Sequence, residues 1–225
     1  MRYLAIVVAL GLLAAGAQAE TWYARGGFNN WDTSAPMTDN LDGTFTANID
    51  ISSQTPGTRY EFKVANADWS VSYPGSSNVL ATYATGRPMN LDVFFEPLPD
   101  DLGEGWLPET NRVGYSPGGN PWKLVGDFSG WAPIDMTDLG NDFWTVDTTV
   151  PAGTSGFKFR GTDDWEISIG ADFGKWAGNA SMTVATGGLY RFELDLPHGR
   201  YRAFPIPEPA SLLGLALLGM LIRRR

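Results

Sequence analysis

Trp22–Trp31 reads WYARGGFNNW, and Trp122–Trp131 reads WKLVGDFSGW. Trp, Gly, Phe and Trp recur at a constant offset of 100 residues, and the correspondence extends downstream. Met37-Thr38-Asp39 is answered by Met136-Thr137-Asp138, Phe45-Thr46 by Trp144-Thr145, and Gly57-Thr58 by Gly153-Thr154. Phe62-Lys63-Val64 is answered by Phe157-Lys158-Phe159, Asp68-Trp69 by Asp164-Trp165, and Asn78–Gly86 by Asn179–Gly187. Order is kept over about 65 residues with small insertions and deletions. The centre of the chain is one module written twice. A period this long is too large for a solenoid unit, and each copy is large enough for a small domain.

The local pattern within each copy is strand and turn. Phe45, Ala47, Ile49 and Ile51 alternate with Thr46, Asn48 and Asp50, and Trp144, Val146, Thr148 and Val150 alternate with Thr145, Asp147 and Thr149. Period two with one apolar face predicts a half-buried strand. Asn40–Gly43 and Leu139–Asp142 carry turn chemistry just ahead of these strands. Tyr60–Val64, Phe157–Arg160 and Leu189–Leu196 read as further strands, and the mature chain holds no capped amphipathic helix of useful length. Frequent turns between short strands make an all-β sandwich architecture the expectation. Trp22, Trp122, Phe28, Phe128, Phe45 and Trp144 are expected in the cores. Glu96–Pro121, rich in Pro, Gly and acid, reads as a connection, with Trp106 and Tyr115 available to pack on a neighbouring module. The expected boundaries are 20–96 for the first copy, 97–120 for a linker and 121–206 for the second copy.

Composition narrows the function classes. The 225 residues carry a formal net charge of −9, no cysteine and one histidine, His198. Without clustered Lys and Arg there is no surface to track phosphates, so nucleic acid is not an expected partner. Lack of cysteine excludes disulfides, Cys-ligated zinc, iron–sulfur clusters and thiol nucleophiles. A lone histidine argues against a His-based metal site or a Ser-His-Asp triad. No metal and no cofactor are expected.

The two ends read as addresses. Residues 1–19 have a positive Arg2, an apolar run Leu4–Ala15 and the small-residue exit Ala17-Gln18-Ala19, the pattern of a secretory signal peptide cleaved before Glu20. At the other end, Pro207-Glu208-Pro209 precedes the apolar Ala210–Ile222 and then Arg223-Arg224-Arg225. A Pro-rich break, a small-residue apolar helix and a basic stop make a membrane anchor whose basic end is held inside. This tail (207–225) resembles the PEP-CTERM sorting signal of Gram-negative bacteria. The resemblance implies recognition by an exosortase, transient residence in the inner membrane, and delivery to the cell surface or extracellular matrix. The apolar run is 13 residues, shorter than the roughly 20 that span a bilayer. Removal of both ends after Pro209 would take away four arginines and no acid, moving the net charge from −9 to −13.

The repeated motif, G-[GD]-F-x-x-W followed by Met, an acidic turn, an aromatic strand, F-K-[VF] and D-W, resembles the glycogen- and starch-binding β-sandwich. That module occurs in the AMP-activated kinase β-subunit and in branching and debranching enzymes. KFRGTDDWEISIG and GLYRFELDL of the second copy also resemble starch-binding outer-membrane lipoproteins of the SusE and SusF type. The resemblance implies two tandem immunoglobulin-like β-sandwiches between an N-terminal signal helix and a C-terminal apolar anchor helix. It further implies that Trp31, Lys63, Trp69 and Asn78 bind carbohydrate in the first copy, and Trp131, Lys158, Trp165 and Asn179 in the second. The chemistry is apt: Trp offers a rigid apolar face to the C–H face of a glucan, and Lys and Asn satisfy its hydroxyls. Trp31 and Trp131 could alternatively close the end of a core, whereas Trp69 and Trp165 follow polar loops that favour exposure. Lys63 and Lys158, flanked by apolar strand neighbours, are expected on the solvent side. Asn78 and Asn179 could serve only as turn residues.

The expectation is therefore an exported, non-catalytic protein that binds an α-glucan or exopolysaccharide. The alternative is a structural or adhesion protein of the matrix whose sandwiches hold no sugar. Asp163, Asp164, Glu166 and Asp172 crowd one hairpin of the second copy but lack a calcium-loop spacing. They do not recur in the first copy, which argues against a glycosidase carboxylate pair.

Overall fold

The computed structural model describes residues 20–55, 57–75, 77–82, 90–118, 121–161, 165 and 167–207. The expected signal peptide and most of the expected sorting tail, including Glu208, Pro209 and Arg223–Arg225, lie outside them, as do Ala17 and Ala19. The described chain is all-β, with two single turns of 3-10 helix, Gly27–Asn29 and Asp127–Ser129.

The first copy supplies β1 (Tyr23–Gly26), β2 (Thr38–Asp39), β3 (Phe45–Asp50), β4 (Arg59–Ala65), β5 (Ser72–Tyr73), β6 (Val79–Thr82), β7 (Asn90–Glu96) and β8 (Arg112–Ser116). The second supplies β9 (Lys123–Gly126), β10 (Ile134–Asp135), β11 (Thr137–Asp138), β12 (Phe143–Val150), β13 (Gly153–Arg160), β14 (Ser168–Ile169), β15 (Ala180–Val184), β16 (Gly188–Asp195) and β17 (Arg200–Pro205). Each copy has two antiparallel sheets. In the first they run β1-β4-β5, with β6 also on β4, and β2-β3-β7-β8. In the second they run β10-β9-β13-β14, with β15 also on β13, and β11-β12-β16-β17. The registers repeat too: Phe62 lies opposite Gly26 as Phe157 lies opposite Gly126, and Phe95 opposite Phe45 as Leu194 opposite Trp144.

Rings from the two sheets of each copy meet. Trp22 lies edge-on to Phe95 at 4.9 Å and Phe62 to Tyr115 at 5.8 Å, while Phe157 meets Phe192 at 5.2 Å. The expected core rings take their places: Trp22, Trp122 and Trp144 are buried, and Phe28, Phe45 and Phe128 pack partly buried against the core.

The connection differs from the expected linker. Buried apolar side chains of both copies form one contiguous cluster. Arg112–Ser116, expected within 97–120, is a strand that completes a sheet of the first copy by pairing with β7. It shows no alternation because both its faces are covered. Gly114 is required there, since a Cβ would stand 2.1 Å from the carbonyl oxygen of Pro197. The remainder of the connection is fastened to the second copy. Leu107 exchanges backbone hydrogen bonds with Tyr201, and Trp106 lies buried under the guanidinium groups of Arg200 and Arg202, at 4.5 and 4.2 Å. Asp101 pairs with Arg112 at 2.7 Å and with Arg200 at 3.1 Å. Those two arginines hold equivalent places, opposite Glu96 and Asp195 at the ends of β8 and β17.

A second fastening comes from an insertion. Between Tyr73 and Asn78 the first copy has residues 74–77; between Ile169 and Asn179 the second has 170–178. This longer loop buries Phe173 against Tyr201 and reaches across to the first copy. The Lys175 backbone N–H donates to the Asn78 carbonyl at 2.6 Å, its ammonium pairs with Glu61 at 2.8 Å, and its carbonyl accepts the Ser77 hydroxyl.

Candidate functional site

In both copies a G-x-F-x-x-W turn leaves the first strand through one 3-10 turn and ends on a tryptophan with left-handed backbone. Trp31 and Trp131 both have φ of 64°, preceded by Asn30 at 52° and Gly130 at 59°. A bulky residue held there costs about 1–3 kcal/mol and persists only where its surroundings enforce it. The enforcing bonds are the same in kind. Trp31 N–H donates to Gly26 O and Trp131 N–H to Gly126 O. Asn29 braces the first turn by accepting from Gly26 N–H and donating to Ala24 O; Ser129 accepts from Gly126 N–H and donates to Ala132 O in the second.

The turn delivers each tryptophan to its expected partner. Trp31 and Trp69 lie 6.1 Å apart, tilted by 42°, and Trp131 and Trp165 lie 6.2 Å apart, tilted by 53°. The second ring of each pair is about equally open, Trp69 at 40% and Trp165 at 41% exposure, and the first ring is half-buried. The pair therefore presents an apolar surface at the end of each copy rather than closing a core.

Each pair rests on an arginine that the sequence reading passed over. Arg25 stacks on Trp69 at 4.0 Å and Arg160 on Trp165 at 4.8 Å. Both are buried. Arg25 also donates to the carbonyls of Trp31, Asn66 and Ala67, so one guanidinium ties together the two loops that carry the tryptophans. The arginines come from different strands. Arg25 is on β1, where the second copy has Val125; Arg160 is on β13, where the first copy has Ala65. Aligning the copies residue by residue therefore hides them. The available signal was an arginine next to the apolar run at the loop end of one strand in each copy, Arg25 on β1 and Arg160 on β13.

The lysines and asparagines fall elsewhere. Lys63 and Lys158 do lie on the sheet face opposite Phe62 and Phe157, but they are half-buried rather than solvent-directed. Lys63 donates to the Pro74 carbonyl at 2.8 Å and Lys158 to that of Ala177. Burial lowers both ammonium pKa values, with the nearby Asp172 carboxylate acting in the opposite sense on each. Asn78 donates to Glu61 at 2.6 Å and so belongs to the contact with Lys175. Asn179 is exposed beside Gly156.

Of the acidic hairpin, Asp163, Asp164 and Glu166 lie outside the described residues. Asp172 accepts the Gly174 N–H and shapes its own loop. Among the described residues no three His, Asp or Glu side chains are grouped as metal ligands would be. Trp176 is a further aromatic with left-handed backbone, φ 63°, and is 60% exposed. It lies in the loop 170–178, which is longer than its counterpart 74–77, so no repeated residue marks it.

Comparison of the chain with protein-family models, with curated proteins and with solved structures finds no match.

Proposed function

We propose that this chain is a non-catalytic glycan-binding protein built of two tandem immunoglobulin-like β-sandwiches and exported under the control of its two ends. The observation that carries this reading is the recurrence, in both copies, of a partly exposed tryptophan pair at the same spacing, seated on a buried arginine. Two tilted indoles with polar neighbours form a surface suited to the C–H faces of a glucan. An α-glucan or exopolysaccharide is the proposed partner. Signal cleavage after Ala19 and sorting through Pro207-Glu208-Pro209 and Arg223–Arg225 by an exosortase would place the protein at the cell surface or in the matrix, after transient anchorage in the inner membrane.

The test is affinity electrophoresis of the mature chain through gels containing soluble starch or glycogen. Trp69→Ala combined with Trp165→Ala should abolish retardation while the circular dichroism spectrum stays unchanged. Retardation that survives the double substitution removes the tryptophan assignment.

A second reading, a stiff structural or adhesion element of the matrix, is favoured by the fastening of the connection through Asp101 and Trp106. Tryptophan fluorescence separates the two: a glycan-binding surface shifts its emission on addition of sugar, and a packing surface does not.

A further inference from the structure

The two tryptophan pairs are alike in spacing but unequal in how they are held. In the second copy the Trp131 indole Nε1–H donates to Asp127 Oδ1 at 3.0 Å, and the other oxygen of that carboxylate accepts the Gly156 backbone N–H at 2.6 Å. Asp127 thus ties the ring edge to strand β13. The first copy has Gly27 at this position and Glu61 at the place of Gly156. Gly27 has no side chain with which to hold the Trp31 ring as Asp127 holds that of Trp131.

The asparagines diverge at the same spot. Asn179 lies exposed against Gly156, whereas Asn78 gives its amide to Glu61, which is itself drawn to Lys175 of the inserted loop. Asn78, expected in a sugar site on the first copy, is thus engaged in joining that copy to the second. Resting on the glycan reading above, we infer that the second copy carries the principal glycan site and that Asp127 is the positioning residue that makes it so. A ring fixed before binding loses less freedom on binding than one that must be fixed by it.

The experiment measures binding of maltoheptaose to the full mature chain by calorimetry, alongside the indole N–H resonances by NMR. Trp131→Ala should weaken binding by about tenfold or more, as expected for a central aromatic contact, while Trp31→Ala changes it by less than about twofold. Asp127→Ala should weaken binding about 3- to 10-fold, the scale of one newly immobilised side chain. It should also let the Trp131 indole N–H exchange faster with solvent, and Asp127→Asn should restore part of both effects.

Gly27→Asp supplies the converse. A Cβ at Gly27 meets only Tyr60 at 3.8 Å, so the backbone has room for a side chain to start there. In a Trp131→Ala background this variant should slow exchange at Trp31 and recover binding. Equal losses from Trp31→Ala and Trp131→Ala, or an Asp127→Ala variant with unchanged affinity, overturn the inference while leaving the glycan reading in place. Absence of maltoheptaose, starch and glycogen binding in the parent protein overturns that reading and this inference with it. A slowly exchanging Trp131 N–H would then mark the Asp127 contact as a purely structural brace.

Discussion

The two copies solve one structural problem with different residues. Each seats its second tryptophan on a buried guanidinium, but the arginine comes from β1 in the first copy and from the neighbouring strand β13 in the second. Val125 and Ala65 occupy the vacated positions. Arg25 faces Lys63 and Arg160 faces Lys123, so the two seats are diagonal neighbours on one face of adjacent antiparallel strands. Such positions lie roughly 7–8 Å apart, within reach of a side chain as long as arginine, so either strand can deliver the same charge to the same ring. What is retained between the copies is a place in space and a chemistry, and the sequence position is free to move. The copies also differ in purpose at their edges: Glu61 and Asn78 of the first are committed to the second, while Gly156 and Asn179 remain at the surface.

The largest expected effect comes from separating the copies. Asp101 is gripped by Arg112, which is 1% exposed, and by Arg200, the equivalent residue of the other copy. Asp101→Ala leaves a buried guanidinium short of one partner and should cost about 3 kcal/mol, as broken buried pairs do. Urea unfolding followed by both fluorescence and circular dichroism checks it. The parent chain should unfold in one transition and the variant in two; coincident curves for the variant would mean that Asp101 does not couple the copies.

A smaller effect tests the exchanged arginines. Arg25→Val should destabilise by about 2 kcal/mol, combining a lost ring contact with lost charge-assisted hydrogen bonds. Adding Ala65→Arg rebuilds the arrangement of the second copy, and the double variant Arg25→Val/Ala65→Arg should recover roughly half of that loss. Thermal denaturation measures both. A double variant no more stable than Arg25→Val would show that the position, and not only the charge, is required.

The smallest effect concerns acid. Hydrogen bonds from Lys175 and then from Asn78 hold the Glu61 carboxyl below its ordinary value of 4.5. A carboxylate with a depressed folded pKa contributes stability that is full above 4.5 and is lost as pH falls through the lower folded value. Because a third of its side chain is exposed, solvent screening limits the contribution to about 1 kcal/mol or less. Glu61→Gln should therefore be less stable than the parent protein at neutral pH, with the difference closing in acid. A difference independent of pH would assign the contact to packing rather than charge.

Much of the fold was legible because it was written twice. Period-two alternation through Phe45–Ile51 and Trp144–Val150 marked strands, and the repeated Trp-Gly-Phe-Trp marked the turn that aims Trp31 and Trp131. That Trp31 acts with Trp69 and Trp131 with Trp165 was an implication of the motif's resemblance, to which recurrence in both copies added support. Strand β8 was not legible, since burial on both faces leaves no alternation and Arg112 is carried into the interior by acids distant in sequence. Lys63 and Lys158 were placed on the correct face, but the loops that cover them come from outside the strand. The arginine seats were obscured by their change of strand.

By itself the sequence determined the all-β architecture and the duplication, because these follow from local periodicity and from residues recurring in the same order, while the aromatic pairs were implied only by the resemblance of the repeated motif. Only the tertiary structure decided that the copies share one core, that Asp101 and Lys175 fasten them, and that Asp127 grips one indole and leaves the other without an equivalent partner. Those outcomes depend on which side chains meet across loops and between copies. Such meetings are governed by the packing of the whole chain and leave no periodic mark in any one stretch of it.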